Sequence, residues 1–471
     1  MERNVVVVCL DTVRKDYFDR FATRLSDAAT VSYEQCRAAS SWSTPSHASM
    51  LTGELPTAHG VHTHNTDFST LSPAETVFGD LSDHTAIGVS ANFFASPRYG
   101  FDELFDRFTA VDPDVLFQEA WDPLDVSADG VERYLAYVRA ASERGQLGKY
   151  AANFLAYQLG RLVDRLPVTD PRDKGARAIA DESLRHIRAT DGPFVLFTNF
   201  MDAHQPHYPF RGLDDSLYDV APSWSSAEEF HERKWSINMA DGVGDNEAFL
   251  DRFTQLYGAS VEYLDRAVMD FLDRVRAVTD RETTVVITAD HGENLAGPAD
   301  EHMFEHTSSL SEGLLHVPLV VVNAPVDAPM RVTDYVSHLQ LPELVAGLAR
   351  GDLPDVTRDR VAGEVVGLAP GGADFDADER RYYDRLIRAA YDGDRKYVWD
   401  SLGDRTVYEL DADRPCWQAE TATPPEPPAW KSTFFPEPAS DVKERCARGE
   451  PDRPEAVGQF AETRLRDLGY L

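Results

Sequence analysis

The sequence predicts an α/β protein, with a doubly wound, mostly parallel sheet sandwiched by helices and a smaller C-terminal α+β unit. Two observations predict this class. Short, almost continuous apolar runs recur along the chain, and amphipathic helical patterns lie between them. Strands that are apolar on both faces are typical of a parallel sheet covered by helices. The 471 residues exceed one ordinary core, so we expect a large domain, 1–350, and a smaller one, 351–471.

Each predicted element has its own pattern. The predicted strands are 5–10 (VVVVCL), 85–90 (TAIGVS), 195–201 (VLFTNFM), 283–288 (TTVVIT) and 318–323 (PLVVVN). The predicted helices include 176–188 and 246–278. Further along, 350–372 is predicted to be loop-rich, 396–398 and 406–410 to pair as a hairpin, and the Pro-rich, acidic segment 421–438 to be irregular.

The composition is strongly acidic. The chain has 80 Asp and Glu against 46 Lys and Arg, of which only 7 are Lys, and its net charge is −34. Such a surface repels nucleic acid and anionic membranes, so we expect neither as a partner. An acidic chain with little Lys is typical of proteins from cells with molar salt, where a Debye length of roughly 3 Å screens self-repulsion.

Cysteine usage and the first residues indicate a compartment. The four cysteines are scattered without CxxC spacing, which predicts free thiols in a reducing environment. The first apolar run has six residues, too few for a signal peptide or a membrane span. We therefore expect a cytoplasmic protein of a high-salt cell, without stable membrane insertion.

Polar residues follow three of the predicted strands directly. Asp11 follows the first run, Asp202 and His204 the third, and Asp290 and His291 the fourth. The carboxyl ends of parallel strands meet at one edge of a doubly wound sheet, where ligands bind. Asp11, Asp290 and His291 together suit a divalent cation such as Ca, Mn, Mg, Zn or Fe. Taken singly, Asp11 could equally well be a helix cap rather than a metal ligand. The pair Asp290-His291 could equally well begin a turn.

The stretch SSWSTPSHASMLTG, residues 40–53, has the pattern of a helix start. Ser43 and Thr44 are capping types, and Pro45 suits the first helical position. Gly53 suits the helix end. A hydroxyl there lies at the positive end of a helix dipole, and a nearby cation would lower its pKa, so Ser43 is a candidate nucleophile. Candidate donors of a hydrogen bond or proton to a leaving oxygen are His204, His302 and His306.

Several segments together resemble the sulfatase family of the alkaline phosphatase superfamily. They are LDTVRKD, STPSHASMLTG followed by PTAHGVHTHN, NFMDAHQPHYP, LYGASVEYLDRAV, TADHGEN and EHMFEH before HVPLVVVN. They cover about 4–100 and 193–323, with a weaker echo in KYVWDSLGDRTVYELDAD. The resemblance implies an alkaline-phosphatase-like fold and a metal-dependent hydrolase of sulfate esters, with a small-molecule or glycan substrate.

The family's nucleophile signature is Cys or Ser, any residue, Pro, any residue and Arg, with Thr-Gly starting five residues after that Arg. Ser43 falls on the nucleophile and Pro45 on the Pro. Thr52 and Gly53 fall on the Thr-Gly, whereas His47 stands where the family has Arg. In sulfatases the first residue becomes formylglycine, whose hydrate attacks sulfur. The modifying machinery reads the Arg, so formylglycine and unmodified serine both stay open, and the resemblance implies Ser43 and His47 as catalytic positions.

The metal positions are more similar to the phosphonate monoester hydrolase and phosphodiesterase branch of the superfamily. Asp11 is followed by Thr12 rather than by a second Asp, and Asp290 is followed by His291 rather than by Asn. The resemblance implies Asp11, Ser43, Asp290 and His291 as metal ligands, His204 and His306 as contacts to the substrate anion or leaving group, and Asn65, Asn92 and His302 as polar substrate contacts.

Three functions remain open at this point. The first is a sulfuric ester hydrolase that uses formylglycine made from Ser43. The second is a phosphodiesterase, phosphonate monoester hydrolase or phosphoglycerol-type transferase that uses unmodified Ser43. The third, a catalytically silent anion-binding homologue, predicts the loss of a metal or nucleophile position, and all are occupied. Trp224 and Trp235, in a predicted pocket wall, either stack on substrate or pack in the core.

Overall fold

A mixed eight-stranded sheet forms the centre of this computed structural model, which describes residues 2–113, 115–120, 139, 141–143, 145–163, 169–239, 243–306, 308–367, 375–421 and 427–448. Its strands are β1 (Asn4–Leu10), β2 (Val31–Arg37), β3 (Thr85–Ser90), β4 (Arg107–Ala110), β5 (Phe194–Phe200), β6 (Thr283–Thr288), β7 (Leu319–Val322) and β8 (Met330–Ser337). They lie in the order β4-β3-β5-β1-β6-β7-β2-β8. Strand β7 runs antiparallel to β6 and β2, and the other pairs are parallel. The predicted mostly parallel sheet is confirmed.

All five predicted strands lie in this sheet, as β1, β3, β5, β6 and β7. The sequence did not predict β2, β4 and β8. Strand β8 is mostly exposed and β4 is half-buried, so neither carries a continuous apolar run. In β2, buried and half-buried residues alternate over its first half. Apolar runs thus predicted the central strands and missed the two edge strands, β4 and β8, and their partly polar neighbour β2.

Helices cover both faces of the sheet. They are α1 (Lys15–Phe21), α2 (Thr23–Ala28), α3 (Ser43–Thr52), α4 (Pro56–His59), α5 (Leu147–Val163), α6 (Ala176–Arg188), α7 (Phe230–Asn238), α8 (Glu247–Val278), α9 (Glu312–Leu315), α10 (Leu341–Arg350), α11 (Ala377–Tyr383) and α12 (Ala439–Arg448). Phe200 on β5 packs against Phe271 on α8, with 6.1 Å between ring centroids. Phe197 points to the opposite face and packs 5.5 Å from the ring of His47 on α3. The predicted helical sandwich is confirmed.

A second sheet of five antiparallel strands follows in the chain. It comprises β9 (Ala362–Val366), β10 (Leu386–Asp392), β11 (Arg395–Asp400), β12 (Arg405–Leu410) and β13 (Gln418–Glu420), in the order β13-β12-β11-β10-β9. The predicted hairpin is the β11–β12 pair, with Tyr397 opposite Val407. Strand β9 corrects the expectation of a loop at 350–372, because its five residues are buried and pair with β10. The domain division at 350 and 351 stays a prediction.

The described part of the predicted irregular tail contains one short 3-10 helix, Ala429–Thr433, and residues 422–426 lie outside the described residues. Helix α12 follows and buries Val442 and Cys446 against the second sheet. Within the described residues, no helix is both long enough and apolar enough to cross a bilayer.

The second sheet holds the chain on both sides of α3. The backbone N–H of Glu364, on β9, donates to the carbonyl of Ala39 at 2.9 Å, and Ser40 Oγ donates to the Glu364 carbonyl at 2.8 Å. The Glu364 carboxylate accepts from the backbone N–H of Thr57 at 2.7 Å and pairs with Arg388 at 3.1 Å. One buried glutamate therefore fixes the segments that enter and leave the helix.

Gly53→Ala is expected to lower the free energy of unfolding more than Gly60→Ala. Both glycines have left-handed backbones, with φ of 75° and 80°, so each alanine costs about 1–2 kcal/mol of backbone strain. At Gly53 the added methyl group would also lie 2.9 Å from the carbonyl oxygen of Leu339, whereas it meets no atom within 4 Å at Gly60. Urea unfolding at constant high salt measures both losses, and equal losses would contradict the steric contribution.

Candidate active site

The ends of β1 and β6 bring three predicted ligands together. Asp11 follows β1, and Asp290 and His291 follow the adjacent strand β6. All three side chains are fully buried. One oxygen of each carboxylate and one ring nitrogen of His291 lie within 4.8 Å of one another. This part of the predicted metal site is therefore assembled by the sheet, since neighbouring parallel strands end at the same edge.

Ser43 points its hydroxyl at this cluster. Its Oγ lies 3.4 Å from Asp11 Oδ2 and 3.4 Å from His291 Nε2. Asn92, which follows β3, donates from Nδ2 to Ser43 Oγ at 3.0 Å and to Asp11 Oδ2 at 2.9 Å. Asn92 therefore holds the nucleophile candidate and the ligand candidate in one arrangement.

The helix begins at Ser43, two residues before the predicted first helical residue, Pro45. Trp42 is the N-cap, with an extended backbone and no side-chain cap, and Ser43 is the first helical residue. The expectation that Ser43 or Thr44 caps and that Pro45 is first was therefore wrong. Gly53 ends the helix in a left-handed conformation, as predicted. Because its hydroxyl caps no backbone group, Ser43 is available to the cluster.

The backbone sets the tautomer of His291. Its Nδ1 lies 2.7 Å from the carbonyl oxygen of Gly292, which only accepts, so the hydrogen-bond network assigns the proton to Nδ1. Nε2 then carries a lone pair, 3.5 Å from Asp290 Oδ2. Burial and the nearby His306 lower the pKa of His291 to about 4. A neutral imidazole with Nε2 unprotonated is the form that binds metals.

Two carboxylate oxygens of the cluster have no hydrogen-bond partner among the described residues, namely Asp11 Oδ1 and Asp290 Oδ2. Nor does any Lys or Arg of the described ranges form an ion pair with either aspartate. Burial, followed by repulsion from Asp290, raises the pKa of Asp11 to about 7, and burial raises the pKa of Asp290 to about 6. Buried carboxylates without a cation are costly, so this donor set fits a divalent cation.

His47 and Asn199 form a second layer beside the carboxylates. His47 lies one turn after Ser43 on α3, and its Nε2 is 3.5 Å from Asp290 Oδ2. Asn199 donates from Nδ2 to Asp11 Oδ2 at 3.2 Å and lies 3.0 Å from His47 Nε2. Burial lowers the pKa of His47 to about 3, so it is neutral. Sequence reasoning missed Asn199, although an amide inside the apolar run VLFTNFM was a usable signal.

A row of imidazoles continues from the cluster. The ring of His291 lies 4.8 Å from that of His306, which lies 5.8 Å from that of His204. The two nitrogens of His306 lie 3.4 Å from Glu293 and 3.2 Å from Glu305. Burial lowers the pKa of His204 and of His306. The structure therefore brings both predicted histidines to the neighbourhood of His291.

Two predicted substrate contacts lie elsewhere. Asn65 Nδ2 donates to the carbonyl of Gly60 at 2.9 Å and closes its own turn. His302 is exposed and, within the described ranges, has no hydrogen bond or ion pair to the cluster. Trp224 and Trp235 pack in two separate hydrophobic clusters, which favours the core interpretation of both. The roles of Asn65 and His302 in substrate binding stay predictions.

Asn92→Ala is expected to lower kcat/KM about 10–100-fold, because it removes the donor shared by Ser43 and Asp11. Asn65→Ala is the matched control, since it loses one amide hydrogen bond, to the carbonyl of Gly60, and none to Ser43 or Asp11. Ester hydrolysis by the two variants, with thermal unfolding measured alongside, checks the expectation. Equal activity losses would remove Asn92 from the site.

Solved structures share this fold. The phosphonate monoester hydrolase of Agrobacterium radiobacter is 15% identical, with a TM-score of 0.57, over 95% of this chain and 94% of that one. SpPMH, the phosphonate monoester hydrolase from Silicibacter pomeroyi, is 14% identical with a TM-score of 0.57, over 96% of each chain. BT4656, solved with its substrate D-glucosamine-2-N,6-O-disulfate, is 13% identical with a TM-score of 0.56, over 97% of this chain and 100% of that one. The alkaline-phosphatase-like fold is confirmed.

The amino-acid sequence was also compared with curated proteins and with protein-family models. No curated protein sequence matches the chain significantly. The sulfatase family model matches residues 3–351, which is well over half of the chain. That range contains Asp11, Ser43, Asn92, Asp290 and His291, the residues of the buried cluster. The chain therefore belongs to the sulfatase family of ester-hydrolysing enzymes.

Proposed function

We propose that this chain hydrolyses sulfate esters of a small molecule or glycan, using a divalent cation, Ca, Mn, Mg or Zn, and a nucleophile derived from Ser43. The observation that carries the proposal is the place of Ser43 Oγ. It lies at the start of α3 and 3.4 Å from both Asp11 and His291, in a cluster where two buried carboxylates lack a Lys or Arg partner among the described residues. Asp11, Ser43, Asp290 and His291 would hold the cation.

A divalent cation at these residues lowers the pKa of a neighbouring hydroxyl and offsets charge on a tetrahedral anion. The chain's own groups do the rest. Asn92 orients the Ser43 oxygen through its 3.0 Å hydrogen bond, and the first backbone N–H groups of α3 face the anion. One hydroxyl of the hydrated aldehyde made from Ser43 would attack sulfur as the bond to the leaving alcohol breaks, and the other would then collapse to the aldehyde and expel sulfate.

The leaving alcohol requires a proton, and His204 and His306 are proposed to supply it. His204 Nδ1 lies 2.6 Å from the carbonyl of Gln205, so Nδ1 keeps the one proton of the neutral ring, and Nε2 would take up the proton released by the attacking hydroxyl before passing it to the alcohol. His306 lies between His204 and His291 in the row of rings. His47 is proposed to act on Asp290 rather than on the substrate, because its Nε2 lies 3.5 Å from Asp290 Oδ2.

Hydrolysis of a phosphate diester or phosphonate monoester is a second candidate, and His47 favours it. The signature read by the formylglycine machinery has Arg at this position, so Ser43 without modification is consistent with the sequence. Water can release a serine phosphate ester, whereas a serine sulfate ester has no exit by collapse to an aldehyde. The two candidates therefore differ in the chemical state of one residue.

The mass of the proteolytic peptide that carries Ser43 tests the choice. The protein is purified from its native host, which retains any modifying enzyme, and the Ser46 in the same peptide provides an internal unmodified serine. We expect a peptide that lacks two hydrogens, together with turnover of sulfate esters. An unmodified peptide with turnover of phosphate diesters or phosphonate monoesters would replace the first candidate by the second.

Ser43→Ala is expected to lower kcat by about 10³-fold or more, because it removes the attacking oxygen. Ser46→Ala is the matched control on the same helix, since Ser46 Oγ donates only to the carbonyl of Ser40 and its loss costs about 1 kcal/mol of stability. Metal content and unfolding are measured for both variants. Wild-type rates in Ser43→Ala would exclude Ser43 from the mechanism.

A further inference from the structure

A second group of possible metal ligands has Asp290 in common with the ligands proposed for the catalytic cation. Cys9 Sγ, His47 Nε2 and a carboxylate oxygen of Asp290 lie within 4.8 Å of one another. The three side chains are fully buried and come from β1, α3 and the end of β6. Cys9 faces α3 because it lies two residues after Val7, whose side chain meets that helix.

Two of the three donor distances in this group are close to those around a single tetrahedral ion. Cys9 Sγ lies 3.8 Å from His47 Nε2, and His47 Nε2 lies 3.5 Å from Asp290 Oδ2. Zinc bonds to sulfur at about 2.3 Å, to nitrogen at about 2.0–2.1 Å and to carboxylate oxygen at about 2.0–2.2 Å, which separates the donors by roughly 3.3–3.6 Å. Shifts of a few tenths of an ångström would bring these two pairs to such distances, and Cys9 Sγ lies within 4.8 Å of a carboxylate oxygen of Asp290.

Asp290 is arranged to bridge the two groups. Its Oδ1 accepts from the backbone N–H groups of Thr12 and His291, at 3.2 and 2.9 Å. Its Oδ2 is buried and has no hydrogen-bond partner among the described residues. That oxygen lies 3.5 Å from Nε2 of His47 on one side and 3.5 Å from Nε2 of His291 on the other. A carboxylate oxygen between two imidazole nitrogens is placed for a cation on each side.

A purely structural role would explain part of this group. Cys9 would fill the core as a small apolar residue, and His47 Nε2 would accept the hydrogen bond from Asn199. That role leaves the buried Nδ1 of His47 and the Oδ2 of Asp290 without partners in the described part of the chain. Metal binding would exchange the Asn199 hydrogen bond for a bond to the ion and would satisfy Asp290 Oδ2.

We propose that Cys9, His47 and Asp290 form a second metal position, for a thiophilic divalent ion such as Zn²⁺, bridged to the first by the Asp290 carboxylate. A thiolate ligand selects such ions over Mg²⁺ or Ca²⁺. On binding, the Cys9 thiol releases its proton to solvent and its sulfur bonds to the ion, with no change of oxidation state. The proposal rests on the proposed function through Asp290 alone, because Cys9 belongs to one group and Asp11 to the other.

Cobalt binding tests the second position without reference to turnover. Co²⁺ is titrated into the full-length, metal-free, reduced protein at high salt. We expect two ions per chain and a thiolate-to-cobalt charge-transfer absorption in the near ultraviolet. Cys9→Ser and Cys9→Ala should lose the absorption and one ion. Cys36→Ser, which changes another buried free thiol, should keep both.

Further measurements separate the second position from the first and from folding defects. Asp11→Asn should lose one ion and keep the absorption, since Asp11 lies outside the second group. X-ray absorption of the zinc-loaded wild type should show one sulfur at about 2.3 Å, whether or not the variants fold. Absence of sulfur in that spectrum, or an absorption that survives in Cys9→Ser, would overturn the proposal. Absence of ester hydrolysis beside a Cys9-dependent absorption would overturn only the proposed function.

Discussion

The organisation of this site depends on two buried carboxylates that form no ion pair with a Lys or Arg side chain of the described residues. Asp11 and Asp290 are fully buried, and in the described part of the chain their partners are amides, imidazoles and backbone N–H groups rather than Lys or Arg. Their pKa values are raised because burial penalises the charged forms. The site lacks positive charge to balance these carboxylates, so it suits the binding of cations. The hydroxyl of Ser43 lies where a bound cation would lower its pKa.

The rest of the fold keeps this unfavourable arrangement in place. The central strands β1 and β6 are paired along their whole lengths, so the two aspartates cannot separate without breaking the sheet. Helix α3 is held at its entry and exit by Glu364 of the second sheet, which is itself paired with Arg388. The two sheets are therefore coupled at the nucleophile segment, and the smaller sheet contributes to the site without supplying a ligand.

Position 47 shows how one substitution changes the electrostatics of a shared scaffold. Where the family signature has a permanently charged Arg, this chain has an imidazole that burial keeps neutral. The negative charge of Asp290 is therefore not balanced from this side by the protein. The proposed second metal position depends on that difference, because a cation bound there would supply the positive charge that the guanidinium supplies in the family signature.

The sequence by itself determined the central strands and the ligand types, because apolar runs mark buried strands and polar residues after them mark one edge of a parallel sheet. It predicted Asp11, Asp290, His291, Ser43 and Asn92 as site residues, and the fold brings their side chains into one buried cluster. Only the tertiary structure shows that Asn65 bonds within its own turn, that His302 is exposed and that Asn199 joins the cluster, since the direction of a loop or strand side chain depends on distant partners. The antiparallel β7, strand β9 and the Cys9–His47 contact likewise depend on packing between segments far apart in the chain, which local patterns do not encode.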